Sequence, residues 1–420
     1  MADRKHKKVL GSLQPDVEDI LDWNNLPENA FEAATTQEKE SFIQDRKSVS
    51  YWKDAWRRLR HNKVAMVAMV IVILIGLFAF VGPMLVPYGY DEQIRGANNL
   101  HPWHYSLEDR AAQDPDAAVE AARAEAEAAG KEFTKLDEAR LRAQIKSGGG
   151  EELKPHLFGY TDEELQRKAN GEFVFPHVFG CDMHGRDIMV RTMIGARVSM
   201  IVGICCALIV LVIGAIYGSI SGYFGGKVDA IMQRIVEIIY SVPEVLIILL
   251  LGATLKPILE DFQNSGDGPL QNFVTILGPN LIAIFIAFGL LYWVTMSRII
   301  RGQILQLKQQ EYVTAARALG AKGGRIIKRH LLPNCVGQIV TTTFLQIPSA
   351  IFTESFLSFL GMGVSAPMTS LGSMCSDGLS GLQTYPYRLF IPAAILSVMI
   401  LCLNLFGDGL RDALDPRLKK

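Results

Sequence analysis

Three kinds of side chain in this sequence could carry chemistry: histidines and cysteines at ligand-like spacing, a glycine–lysine pair, and acidic residues set inside apolar runs. Cys181-x-x-His184 and His101-Pro-Trp-His104 offer donors of the kind that hold zinc. Neither has a second half, no CxxC occurs among the six cysteines, and no ordered element is indicated to hold the histidines, so no metal is assigned. Gly225-Gly-Lys227 is followed by Val228 and lacks the first glycine of a Gly-x4-Gly-Lys-Ser/Thr phosphate cradle. No nucleophile, metal or acid pair stands at recognisable spacing. These readings point away from an enzyme and from a resident cofactor. Glu237, Glu244 and Glu354 remain, each within an apolar run, where an ionisable group is costly and usually functional. Glu237 lies three residues after Arg234, a helical pairing distance that accounts for it. Glu244 and Glu354 are candidate pore or gate residues. Glu354, near the outer end of its run, has an alternative use in bracing the following loop.

What must position these residues is a set of membrane helices. At 420 residues, 49% hydrophobic and a formal net charge of −1, the averages alone fit a large soluble protein. The distribution does not: apolar runs of roughly twenty residues recur, each long enough to cross a bilayer. Residues 1–63 read as a cytoplasmic tail, charged and aperiodic at first, then aromatic and basic from Tyr51 to Lys63 as an interfacial anchor. No cleavable signal is visible, so the first span must itself start insertion. Spans are expected at 64–86 and at about 198–220, 235–255, 280–297, 336–359 and 389–406. Residues 87–190 form an extracytoplasmic loop subdomain. Its stretch 114–148 is rich in Ala, Glu, Arg and Lys and reads as an exposed helix, with a hinge at glycines 148–150. The five-helix core occupies 191–410, and 411–420 is a charged cytoplasmic tail. Cys181 and Cys375 both fall outside, where disulfides persist, which leaves their pairing open. The fold class is an all-α membrane protein of six transmembrane helices, both ends inside, with an enlarged extracytoplasmic loop subdomain.

Between the fourth and fifth spans lies a loop, 301–333, of distinctive composition. From Arg298 to His330 there are eight Lys or Arg and one Glu, a bias that places the loop in the cytoplasm. Glu311-Tyr-Val-Thr-Ala-Ala-Arg-Ala-Leu-Gly320 reads as a short helix of small residues ended by Gly320 in the left-handed conformation, and Pro333 stops the basic run that follows. Ala315, Ala316 and Ala318 give that helix a low face on which another protein's surface can close.

This loop resembles the "EAA" loop of the membrane subunits of bacterial ABC importers, in which Ala-Ala, Gly and x-Leu-Pro recur at the spacing of Ala315, Ala316, Gly320, Leu332 and Pro333. The family's leading Glu is Thr314 here. Phe179-Gly-Cys-Asp-Met-His-Gly-Arg-Asp187 and Gly195-Ala-Arg-Val-Ser199 resemble signatures of the oligopeptide and dipeptide permease branch, with Cys181 in place of a Thr. Glu354-Ser-Phe-Leu-Ser-Phe-Leu-Gly361 and Asn404-Leu-Phe-Gly-Asp408 fit the same branch. The resemblance implies the type I permease fold and the C-type permease subunit of a peptide importer. It further implies a second homologous permease subunit, separate ATP-binding subunits docked on Glu311, Ala315, Ala316, Gly320 and Pro333, an extracytoplasmic substrate-binding protein, a peptide substrate, membrane lipid around the spans, and no nucleic acid. Two readings compete on sequence alone: an ion-coupled secondary transporter, a class that tends to show paired repeats with interrupted helices, and an importer permease for a non-peptide solute such as nickel complexes.

Overall fold

The computed structural model describes residues 50–102, 119, 122–123, 126–127, 130, 133–146, 158–266, 268–364 and 368–414. The chain divides into two units at Lys53, and of the first only residues 50–53 are described. The hinge glycines 148–150 lie outside the described residues. Among the described residues there are helices and two isolated β-bridges, but no strand.

Helix α1 (Tyr51–His61) is amphipathic: Leu59 is buried, Trp52 and Trp56 are exposed, and Asp54 pairs with Arg57 and Arg58 at 2.8 and 2.7 Å. Asn62 then accepts a hydrogen bond from the Ala65 amide and caps α2 (Lys63–Phe80), the first span. Two helices of the outer region are described, α3 (Lys135–Lys146) and α4 (Asp162–Ala169), the latter opened by a capping box of Thr161 and Glu164.

The core begins with α5 (Ile188–Phe224), capped by the Asp187 carboxylate on the Val190 amide. It starts ten residues before the expected second span. Hydropathy marks only the bilayer-length part of a helix, whereas Arg191 and Thr192 continue α5 beyond it against protein, where they are buried. Next come α6 (Gly226–Tyr240) and α7 (Glu244–Asn264). The third span expected at 235–255 falls on two helices, α6 and α7, which meet at 77°. Pro243 has no amide hydrogen to donate and disfavours helical backbone at the residue before it, and the Ser241 hydroxyl turns back to the Ile238 carbonyl at 2.8 Å. The connection expected at 256–279 is largely helical, through the end of α7 and α8 (Pro269–Leu277). Helices α9 (Pro279–Leu291) and α10 (Trp293–Leu307) abut at Tyr292 to make one span. After the basic loop, with α11 (Glu311–Ala318) and α12 (Gly323–Ile326), come α13 (Val336–Phe359), the short α14 (Leu371–Leu379) and the last span, α15 (Tyr387–Leu414). Among the described residues, five helices are long and apolar enough to cross a membrane, and the bent pair makes a sixth span if taken as one.

The most extensive helix contact among the described residues is α10 along α5, and glycines permit it. Gly214, Gly218 and Gly222 recur every fourth residue on one stripe of α5. A Cβ at Gly218 would stand 2.4 Å from the Ser297 carbonyl oxygen, and one at Gly214 would stand 2.7 Å from Met296 Cβ. Backbone cannot retreat as a flexible side chain can, so bulk at Gly218 must separate the two helices. Gly218→Leu is expected to lower the thermal unfolding midpoint of the detergent-solubilised chain by several degrees, since overpacking costs about 1–3 kcal/mol or more. Fluorescence-detected gel filtration after a heat step reads this directly. A variant as heat-resistant as its parent would show that the close approach is dispensable.

Candidate functional site

The loop between α10 and α13 is built as an extension of the core. On α11, Val313 and Ala316 face inward, and Val313 joins Ile300, Ile304, Ile326, Leu331 and Cys335 in the hydrophobic cluster that runs up between α5, α10 and α13. Glu311, Thr314, Ala315 and Ala318 face outward, with Tyr312 40% and Leu319 89% exposed. The low face of alanines is thus split: Ala316 packs on the chain itself, while Ala315 and Ala318 remain open. Leu319 went unnoticed in the sequence because a single leucine at the end of a short helix looks like core. Gly320 closes α11 at φ 81°, donating its amide to the Arg317 carbonyl while Ala321 donates to Ala316, both at 3.0 Å. A Cβ on Gly320 would meet nothing within 4 Å, so its surroundings are open. Gly323 is seated against the Tyr223 ring near the end of α5. Pro333, exposed, opens a 3-10 turn after the π turn Ile327–Leu331.

Above the loop a polar clasp ties three elements. Arg301 on α10 donates Nε and Nη2 to the two oxygens of Asp229 on α6, at 2.6 and 2.5 Å. The Ser221 hydroxyl donates to the same carboxylate, and Lys308 Nζ reaches the Gly222 carbonyl of α5 at 2.9 Å.

The intramembrane glutamates separate into different roles. Glu237 pairs with Arg234 at 2.8 Å, as its spacing implies. Glu354 has no exposed surface; its carboxylate accepts from Ser199, Ser355 and Ser358 at 3.0, 3.2 and 2.7 Å. Ser358 in turn accepts from the Val364 amide at 3.0 Å. This is the bracing use, joining α5 to α13 and the loop after it, and it turns Glu354 away from any open path in this structure. Glu244 is exposed at the head of α7 and accepts a 2.5 Å hydrogen bond from Tyr292, whose oxygen is also 3.1 Å from the Thr353 hydroxyl.

In the region between α2 and α5, Cys181 meets His177 rather than His184. The loop 181–187 closes by a bridge between Cys181 and Asp187, and the Asp182 carboxylate accepts the amides of His184 and Arg186 at 2.8 and 3.0 Å, leaving the His184 side chain exposed. His177 is fully buried between two carboxylates, with Nδ1 2.6 Å from Asp187 and Nε2 3.3 Å from Glu164. Burial opposes charge on the ring, but hydrogen bonds to Asp187, Cys181 and Glu164 outweigh it and raise the His177 pKa to about 12. Burial likewise works to raise Glu164, yet hydrogen bonds from His177 and the Thr161 amide hold it below the usual carboxylate range. Burial pushes the Cys181 thiol up to about 11. Donor atoms of His177, Cys181 and Asp187 lie within 4.8 Å of one another. Both ring nitrogens are already engaged by carboxylates, so the group works as an ionic clamp at the entrance to α5. Tyr88 adds a 2.5 Å hydrogen bond to the Phe175 carbonyl and stacks on the His177 ring at 4.5 Å.

The Cys181–Cys375 pairing left open by the sequence is corrected: both are free thiols, Cys181 packed with Ala97 and Leu100, and Cys375 buried on α14.

Residues 211–420 match the family described as binding-protein-dependent transport system inner membrane component, and residues 50–102 match the N-terminal TM domain of oligopeptide transport permease C. The chain is similar to the oligopeptide transport system permease protein OppC of Bacillus subtilis (strain 168), at 38% identity over 396 residues covering 94% of this chain and 99% of that one. Against the dipeptide transport system permease protein DppC of the same organism the identity is 35% over 398 residues, covering 94% and 95%. With OppC of Escherichia coli (strain K12) it is 34% over 368 residues, covering 88% and 92%. A membrane-length helix bundle, a half-chain family match and near-full-length relatives agree: the chain belongs to the binding-protein-dependent transport system inner membrane component family, in the branch of the oligopeptide and dipeptide permease C proteins.

Proposed function

We propose that this chain is the permease subunit of an ATP-driven importer of di- or oligopeptides, embedded in the bacterial inner membrane with both termini in the cytoplasm. It forms one half of the translocation path against a second homologous permease subunit, and its second to sixth spans line that path. An extracytoplasmic substrate-binding protein delivers the peptide, and hydrolysis resides on separate ATP-binding subunits. The outer insert 100–170 touches the binding protein or the partner permease rather than the path. The observation that carries this reading is α11: its inner face belongs to the same hydrophobic cluster as α5 and α10, while Tyr312, Ala315, Ala318 and Leu319 stand uncovered. A helix so mounted passes displacement into the spans. A secondary transporter has no use for it.

The test is reconstitution of the complex isolated through this chain into sealed vesicles, with uptake of a labelled tripeptide as readout. Uptake is expected to require ATP and binding protein and to ignore dissipation of proton and sodium gradients. Gradient-driven uptake without ATP would transfer the chain to the ion-coupled reading, and ATP-dependent uptake of a nickel complex but no peptide would revise the substrate.

A further inference from the structure

The break between α6 and α7 exposes something the fold does not need. Glu244 stands at the bend, midway along the bundle, beside Tyr292 in the middle of the Pro279–Leu307 span. Two cavities, of about 360 and 420 Å³, share Glu244, Tyr292 and Thr295. Their other polar lining comes from Tyr240, Ser241, Gln346, Ser349, Thr353 and Asn404, and among the described residues neither lining contains Lys, Arg or His. Arg298 lies 4.9 Å from the Tyr240 ring centroid but lines neither cavity. Among the described residues, Glu244 is therefore the one carboxylate in a hydroxyl-rich hollow at membrane depth, with no cation in either lining to balance it. Such a group is expensive where water is scarce, unlike Glu354, which is enclosed by serine hydroxyls. Tyr292, steadied by Thr353 and stacked on Phe288 at 4.1 Å, holds one oxygen, Oε1, of this cavity-lining carboxylate.

We propose that Glu244, backed by the Tyr292 and Thr353 hydroxyls, is a cation subsite that receives a primary ammonium group, such as the amino terminus or a lysine side chain of a passing peptide. The proposal rests on the reading above that this face lines the translocation path. A primary ammonium fits because its three donors match what the hollow offers: one charged acceptor, ringed by hydroxyl and amide oxygens. An anionic group entering the same space would meet an unbalanced like charge. A substrate's charge is thus sorted within the path as well as before it.

The experiment uses the complete complex carrying Thr295→Cys, an exposed position shared by both cavities. It compares the modification rates of a cationic aminoethyl and an anionic sulfonatoethyl methanethiosulfonate, after subtracting labelling of the parent's own cysteines. With Glu244 present the cationic reagent is expected to lead by on the order of tenfold beyond the ratio on a free thiol. In Glu244→Gln, which retains an acceptor for Tyr292, that lead should collapse, and in Glu244→Asp it should persist. Uptake of a free-amino tripeptide relative to its uncharged, amino-acetylated counterpart should fall in Glu244→Gln as well. Labelling of the introduced thiol with a rate ratio indifferent to Glu244→Gln overturns the subsite while leaving the path reading intact. No labelling by either reagent overturns the path reading, and the subsite with it.

Discussion

Gly320→Arg leaves the chain folded and in the membrane but cuts ATP-driven uptake by at least about tenfold. The backbone at residue 320 sits at φ 81°, a conformation that costs a residue with a Cβ about 1–2 kcal/mol. Against a total stability of about 5–15 kcal/mol that strain is tolerable, and no neighbour within 4 Å adds a clash. The larger effect lies outside the chain, where a guanidinium would project beside Ala315, Ala318 and Leu319, on the surface proposed to enter the ATPase. Three comparisons separate the causes. Gly320→Ala carries the strain with little bulk and should be mild, whereas Leu319→Ala carries no strain and should weaken ATPase attachment. Lys256→Ala removes only an exposed 4.0 Å pair with Glu260 and should match the parent. Assembly, ATPase stimulation by the binding protein and uptake are measured for each. If Gly320→Arg kept all three at the Lys256→Ala level, this loop would have no coupling role.

The second large effect is expected from His177→Ala. Removing the ring leaves Asp187 and Glu164 buried without their shared partner, and breaking a buried charge pair in this way costs about 3–5 kcal/mol. The outer subdomain should become sensitive to external protease, and the unfolding midpoint should drop by several degrees. Asp187→Asn keeps a capping side chain on α5 but removes the charge, so it isolates the ionic part. The pH dependence has a definite sign. His177 is raised from its ordinary 6.5 to about 12, so its stabilisation is complete below 6.5 and declines as pH climbs toward 12. Glu164 is lowered from 4.5, so its share is complete above 4.5 and is lost as pH falls through its folded value. The gap in midpoint between parent and His177→Ala should be widest at about pH 4.5–6.5 and narrow as the solution is made alkaline. A gap independent of pH would mean that the ring acts by shape alone.

Run length made the spans legible, because a bilayer acts on composition directly. What composition cannot carry is direction. Glu244 and Glu354 look alike as acids in apolar runs, yet one faces a hollow and the other is enclosed by serines from two helices. Ser199, which completes that enclosure, is 155 residues away from Glu354 in sequence. Spacing paired Cys181 with His184, but the turn held by Asp182 faces His184 outward and leaves His177, from the segment before it, as the neighbour. Pro243 was visible inside the third apolar run, but not what it would do there: a proline can kink a span or break it, and the outcome depends on whether neighbouring helices fill the gap.

The Asp229–Arg301 clasp has a mechanical consequence. It ties the start of α6 to α10, while the other end of α6 is the non-helical Ser241-Val242-Pro243 beside Glu244, so α6 has the form of a lever held at one end and jointed at the other. Eleven residues separate Asp229 from Tyr240, an arm of about 16 Å at the helical rise, so a turn of about 7° at the fulcrum swings its far end by about 2 Å. Read in reverse, a displacement of that size at the clasp, which the proposed docking of an ATPase on the loop would supply, becomes a rotation of a few degrees beside Glu244.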